Sequence, residues 1–317
     1  MAKDNNKRML LQQTIKSPIE CSGIGLHTGK KVHMVFRPAD EDTGIVFKRV
    51  DIAENCIIKA VHSNLASVNY ATAIQKDGYE VQTIEHLLAA LAGMAIDNLI
   101  IELDSFEVPI MDGSAAPFIF LLHEAGIRIQ KKVRQYIRIK KSITIGGADK
   151  YIKVVPSDTF KITYSVDYNH PVIGAQSATY RCIGEPFIKK ICRARTFGFL
   201  NEIKVLRQMG LTKGGSLDNA IVIDNYRIIN GALRFKDEFV CHKIMDAMGD
   251  LYLLGKPILG HIIAHRAGHG LHTMLVEKIL KSRKKWDYYT YGTGFKEDIN
   301  PLESSLTVNH QHMSYQM

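Results

Sequence analysis

Cysteine is scarce and scattered in this chain: Cys21, Cys56, Cys182, Cys192 and Cys241, with no C-x-x-C pair among them. An odd, dispersed set argues against a disulfide framework and against a cysteine-rich zinc module, and it fits a reducing compartment. There is one tryptophan, no helix-turn-helix signature and no RNP-like aromatic strand. The formal charge of +9 is therefore not read as a nucleic-acid footprint; an anionic small substrate or an anionic membrane face suits it as well. The longest apolar stretch, Leu87 to Ile96, is about half of what a bilayer crossing needs. Met9-Leu10-Leu11, behind the polar segment Met1 to Arg8, is too short for the core of a signal peptide. These absences leave a soluble, cytoplasmic protein as the expectation.

What is present is a chain of 317 residues, 46% hydrophobic, longer than a single core usually grows, so two domains are expected. Alternating apolar positions predict strands over Lys31 to Phe36, Gly44 to Arg49 and Asn98 to Leu103. Helices are expected over Thr83 to Met94 and Ser114 to Ala125, the second announced by Asp112-Gly113-Ser114. A second series follows, with strands over Tyr136 to Ile145, Lys150 to Pro156, Lys161 to Val166, Ala220 to Ile223, Ala232 to Phe235 and Ile258 to Ala264. Its helices are expected over Asn201 to Met209, Glu238 to Leu254 and Leu271 to Lys281. The basic stretches Lys131-Lys132-Val-Arg134 and Lys281-Ser-Arg283-Lys284-Lys285 read as a solvated linker and as a helix end whose charges complement the macrodipole.

Two helical histidines share a local pattern, Glu85-His86 followed by Gly93 and His242 followed by Asp246 and Gly249, which hints at an old duplication. A residue four further along a helix is turned by only about 40° and raised by about 6 Å, so His242 and Asp246 share a face. With His86 they form a two-histidine, one-aspartate set suited to a divalent metal that keeps a position open. The plainer reading of His242 and Asp246 is an exposed hydrogen bond or weak ion pair. The apolar neighbours Leu87, Leu88, Leu91, Ile244, Met245, Met248 and Leu251 favour a metal, because polar groups in apolar helices usually have a task. Cys241 points about 100° away from His242 and reads as a packed thiol. By spacing alone, Glu85 suits the first turn of a helix. His261, His265, His269 and His272, interrupted by Gly260, Gly268 and Gly270, read as surface or turn residues.

Five motifs occur in order: Gly23-Ile-Gly25-Leu-His27-Thr-Gly29-Lys30, Thr83-Ile-Glu85-His86-Leu, Pro109-Ile-Met-Asp112-Gly113-Ser114-Ala-Ala-Pro117-Phe, Arg193-Ala-Arg195-Thr196-Phe197-Gly198-Phe199 and His242-Lys243-x-x-Asp246-Ala-x-Gly249-Asp250. Together they closely resemble the UDP-3-O-acyl-N-acetylglucosamine deacetylase family over about residues 10 to 285. Members of that family catalyse the committed step of lipid A synthesis in Gram-negative bacteria.

The resemblance implies an α+β fold of two similar domains, each a β-sheet layered against a helix pair, with the helices facing each other between the sheets. The expected bounds are 1–128, 129–286 with an acyl-passage insert, and an unassigned tail 287–317. It implies one zinc per chain on His86, His242 and Asp246, and hydrolysis of an N-acetyl group from a UDP-linked acylated amino sugar. Glu85 resembles the general base, Thr196 the oxyanion-stabilising hydroxyl, His269 the catalytic histidine and Asp250 the carboxylate that keeps it charged. Lys243 resembles a substrate-binding lysine, and Asp167-Tyr168-Asn169-His170-Pro171 a uridine-contacting turn, with Tyr168 where phenylalanine is common. Arg266 stands where a lysine often meets the diphosphate, and Cys241 where arginine is frequent. Phe197, Phe199, Ile203 and Leu206 are expected along the acyl passage, whereas Val205 reads better as core packing. The expected partners are that nucleotide sugar and, transiently, the inner membrane surface, with no nucleic acid, no transmembrane segment and a monomeric chain. The rival readings are a module merely stapled by metal and a hydrolase of another acetylated substrate.

Overall fold

The structure, a computed structural model, describes residues 10–52 and 56–292; the tail histidines His310 and His312 lie outside the described residues. The chain is α+β, with antiparallel and mixed sheets and a few helices. The first large sheet runs Ile19–Ile24, Lys31–Pro38, Leu99–Leu103, Ile45–Arg49, Ile57–Lys59, with only the pairing of Ile45–Arg49 to Leu99–Leu103 parallel. Lys31–Pro38 alternates inward Val32, Met34 and Phe36 with outward Lys31, His33, half-buried Val35 and Arg37, the period of a sheet covered on one face. The covering elements are helix α1, Glu85–Gly93, and helix α2, Ala116–Ala125.

Helix α1 is buried along its whole length. Its Leu and Ala residues favour a helix intrinsically, and a helix apolar all round belongs between layers rather than on a surface. It ends in a Schellman pattern in which Ile96 N–H donates to Leu91 O and Ala95 N–H to Ala92 O, with Ala95 at φ 57° where glycine is usual.

A second sheet is built around Ile258–His265, which pairs with Tyr151–Val155, Phe160–Asp167 and Tyr136–Ile139. Ile143–Gly146, Ala175–Arg181 and Trp286–Tyr289 extend it. Trp286–Tyr289 carries the sheet past Trp286, where the sequence left an unassigned tail. Three helices belong to this part: α3, Leu200–Gln208; α4, Glu238–Leu251; and α5, His269–Lys281. Most buried apolar residues form one cluster running from Ile15 to Trp286, continuous through α1 and α4, while Ile173, Ile221, Ile223 and Phe239 form a smaller second one.

Several expectations are corrected. Lys131-Lys132-Val-Arg134 is not a solvated linker: Ile127–Val133 is a strand paired with Leu11–Ile15, and Arg134 is buried against Asp97, with Nε 2.9 Å from Oδ1. The guanidinium's partner lies 37 residues away in sequence, so local charge pattern carried no sign of it. The expected strand Tyr136 to Ile145 is two strands, broken at Lys140–Ser142, and Ala232 to Phe235 is not a strand. Helix α5 begins at His269 rather than Leu271, because Gly268 is the extended residue before its first turn.

Candidate metal centre and active site

Helices α1 and α4 meet at a glycine. A Cβ on Gly249 would lie 2.0 Å from the Glu85 carbonyl oxygen, a separation no real side chain tolerates. The bare Gly249 Cα lets α4 press against the first turn of α1, which brings His86 to the face of α4 that carries His242 and Asp246. Gly249→Ala is expected to destabilise the fold by roughly 1–3 kcal/mol through forced separation of the two backbones. A drop in melting temperature together with weaker retention of added divalent metal on dialysis would check it; unchanged retention would contradict the role given to this contact.

The three donors converge. Asp246 Oδ1 lies 3.3 Å from His242 Nε2 and 3.7 Å from His86 Nε2, and all three side chains are buried. These separations are too long for good hydrogen bonds. They bracket the ~3.4 Å between neighbouring ligands that zinc bonds of about 2.0–2.1 Å and a tetrahedral angle imply. His242 Nδ1–H donates to the Ala194 carbonyl, 3.1 Å away, which turns Nε2 toward the shared point, the usual outer support of a metal-binding imidazole. Burial pushes the His242 pKa down to about 3, so the ring is neutral and free to offer Nε2 as a donor. Asp246 Oδ2 accepts from Lys243 Nζ at 2.9 Å. The donor set therefore fits one zinc ion.

Glu85 precedes His86 on α1. Its Oε2 accepts from the Thr72 backbone N–H at 3.0 Å, and burial pushes its pKa up against the pull of His269 and His86. Asp250, one turn beyond Asp246, is fully buried. Its Oδ1 accepts from Thr72 Oγ1 at 2.5 Å, and its Oδ2 accepts from His269 Nδ1 at 2.7 Å and His272 Nδ1 at 2.8 Å. Burial alone would deprive His269 of its proton, and its place at the N-terminus of α5 works the same way. The adjacent Asp250 carboxylate outweighs both and raises the His269 pKa to about 10. Burial likewise disfavours the Asp250 anion, but His269 holds its pKa at about 2. Burial lowers the His272 pKa, and its Nε2 lies 3.0 Å from the Tyr164 hydroxyl. The His269 side chain is 16% exposed and that of His272 is 0%; only His269 can meet a ligand. The expectation of a surface or turn site fails for His272, because the first turns of α5 pack it against α4.

The motif around Thr196 is tied down at both ends. Arg195 Nε donates to Glu238 Oε1 at 2.8 Å at the start of α4, and Thr196 N–H donates to Gly113 O at 2.7 Å. At Gly113, φ is 81° and an added Cβ would lie 2.0 Å from Asn219 O, so the Asp112-Gly113 turn needs its glycine to receive this segment. Half-buried Thr196 is two residues beyond Ala194, whose carbonyl orients His242.

Around the centre, Lys243 Nζ lies 5.6 Å over the Phe197 ring, and Asp246 holds its pKa above the ordinary value despite burial. Phe197 and Phe199 each pack 5.9 Å from Tyr168. The Tyr168 ring thus joins the wall formed by Phe197, His242 and Lys243. Asp167 is exposed at the end of its strand. Arg266, at φ 47°, follows Ile258–His265 and pairs with exposed Asp149 at 2.9 Å, a contact weak enough to exchange. No residue of α3 is buried; Ile203 and Leu206 are half-buried, and Val205, expected in the core, is 55% exposed.

Sequence reasoning missed Thr72, which touches both Glu85 and Asp250, and it missed the support of the helix entry. Thr83 sits at φ 59°, costly for a β-branched residue, with its Oγ1 bonded to buried Glu107. Glu107 also accepts from His27 N–H and Thr28 N–H, so the glycine-rich motif near residue 25 braces the turn that launches Glu85 and His86. The paired glycines near 25 and 29 were the visible sign of close packing, but nothing in sequence pointed to Glu107.

The family model described as UDP-3-O-acyl N-acetylglycosamine deacetylase matches residues 12–281. A protein of Saccharophagus degradans named UDP-3-O-acyl-N-acetylglucosamine deacetylase is 47% identical over 95% of this chain and 100% of its own length. Proteins of the same name from Alcanivorax borkumensis, 47% identical over 89% of this chain and 94% of theirs, and Methylococcus capsulatus, 44% identical over the same shares, are similar too. Matched along nearly its whole described length, the chain belongs to the UDP-3-O-acyl-N-acetylglucosamine deacetylase family.

Proposed function

We propose that this protein removes the N-acetyl group of UDP-3-O-(3-hydroxyacyl)-N-acetylglucosamine, giving acetate and the free amine, with one zinc on His86, His242 and Asp246. The carrying observation is that these three donors, unionised His242 among them, share a buried point beside Glu85 and the Asp250–His269 pair. When bound there, zinc would lower the pKa of a coordinated water to about 7 and share the charge of the tetrahedral intermediate.

The chain's own residues do the proton work. Glu85, whose raised pKa brings its proton affinity closer to the neutral range, takes the proton of the attacking water. His269, protonated through that range, stabilises the developing oxyanion and gives a proton to the departing amine. Thr196 offers its hydroxyl to the same oxygen. Lys243 and Arg266 supply positive charge for the diphosphate, Asp167 and Tyr168 meet the uridine, and Phe197 and Phe199 begin the apolar path for the acyl chain.

The proposed layout is two domains, 1–128 and 129–286, with helices apposed between their sheets and the site at their junction. In this reading the protein is a cytoplasmic monomer that meets the inner membrane surface transiently. No described helix is long and apolar enough to cross a membrane.

The test is acetate release from the nucleotide sugar by purified protein. Chelation should abolish turnover and lower the melting temperature, because metal binding to the folded state is folding free energy, and stoichiometric zinc should restore both. Turnover that survives with no metal detectable would sink the proposal. Equal rates with simpler acetylated amines would favour a hydrolase of another substrate.

A further inference from the structure

Thr72 lies in a segment without helical or strand periodicity, between Tyr70 at φ 64° and the strand Ala73–Lys76. Its side chain is inaccessible to solvent, yet it is polar and bonded on two sides. Its N–H donates to Glu85 Oε2 at 3.0 Å. Its Oγ1 lies 2.5 Å from Asp250 Oδ1 and 3.3 Å from His269 Nδ1. A hydroxyl has one proton, and the ionised carboxylate only accepts, so that proton goes to Asp250.

The geometry points to Thr72 as a positioning residue that fixes the general base and the acid–carboxylate pair at one separation. This rests on the proposed deacetylase reading of the site. With Oδ1 held by Thr72 and Oδ2 shared by His269 and His272, the Asp250 carboxylate has no free rotation. The plane of the His269 ring follows from it. Through its backbone, the same residue stops Glu85 from swinging away from the metal donors. Thr72 touches none of those donors by hydrogen bond, so its effect falls on the chemical step, not on metal retention or substrate binding. A pair of catalytic groups misplaced by about 1 Å costs on the order of a hundredfold in rate.

Thr72→Val keeps the shape and the backbone N–H but removes the hydroxyl. In the full-length zinc-loaded protein, kcat for UDP-3-O-acyl-N-acetylglucosamine should fall about 10- to 100-fold, the scale of a lost hydrogen bond to a charged group. KM and zinc content should stay within about twofold. Thr72→Ser, which restores the hydroxyl, should recover turnover to within about threefold. In an Asp250→Asn background the valine substitution should cost less than about threefold, because its effect runs through that carboxylate. If the valine variant does not fold, Thr72→Ala takes its place in the same comparison. Undiminished kcat in the valine variant, serine failing as badly as valine, or a full cost in the asparagine background would each overturn the inference. An inactive wild-type protein would instead sink the deacetylase reading, so the two failures are distinguishable.

Discussion

Glu85→Gln is expected to lower turnover about 10²- to 10⁴-fold, the range over which a positioned general base acts, while zinc content and KM stay within about twofold. Glutamine has the same shape, and its amide oxygen can still accept from Thr72 N–H, the contact that holds Glu85 now. What it cannot do is take a proton. The buried carboxylate is costly to ionise, so its neutral replacement should leave the melting temperature unchanged or raise it. A stable, metal-loaded, inactive protein is therefore the outcome that separates chemistry from architecture. Steady-state acetate release and metal analysis on one preparation decide it; a variant retaining more than about a tenth of wild-type kcat would show that the proton goes elsewhere.

The second large effect is on pH dependence. With Asp250 beside it, His269 keeps its proton until about pH 10, so the alkaline limb of kcat/KM should lie near there, while protonation of Glu85 sets the acid limb. Asp250→Asn removes the carboxylate and leaves burial, which lowers an imidazole pKa. The alkaline limb should then move from near pH 10 to 6.5, the ordinary value, or below, and activity at pH 8 should collapse while activity near pH 6 suffers less. A limb that stayed in place would assign the alkaline group to another residue.

The same contact is linked to stability. His269 has a raised pKa, so its contribution is complete below 6.5 and lost as pH rises through about 10. Asp250 has a lowered pKa, so its contribution is complete above 3.8 and lost as pH falls through about 2. These are two views of one interaction and do not add. The pair supports the fold most between those inner limits, and the asparagine variant should lose that advantage there.

Much of this site was legible early, and the reasons are local. His242 and Asp246 are one turn apart, and helical geometry alone puts them on one face. Glu85-His86 opens a run of Leu and Ala that makes a buried helix in any context offering it a core. The five motifs then named the family, and with it Thr196, His269 and Asp250, which no spacing argument had singled out. Strands such as Lys31–Pro38, with one face in the core, announced themselves by alternation. Tyr79–Val81 and Ala175–Arg181 did not, since three residues carry no period and the second strand is nowhere buried.

Charge runs misled for a related reason. Arg134 looked like part of a solvated stretch because its partner Asp97 is remote in sequence. His272 looked like a surface residue because nothing in the local sequence shows that this face of α5 packs against Asp250 on α4.

The sequence by itself determined the donor chemistry: which residues can ligate zinc, which pair is preset by one helix, and which family the motifs belong to. Tertiary structure decided the rest. It brought His86 onto α4 through the bare Cα of Gly249, placed two imidazoles on one oxygen of Asp250, and left only one of them within reach of a ligand. Proton affinity and access depend on distances between segments far apart in the chain, and those distances are products of packing, which no local pattern encodes.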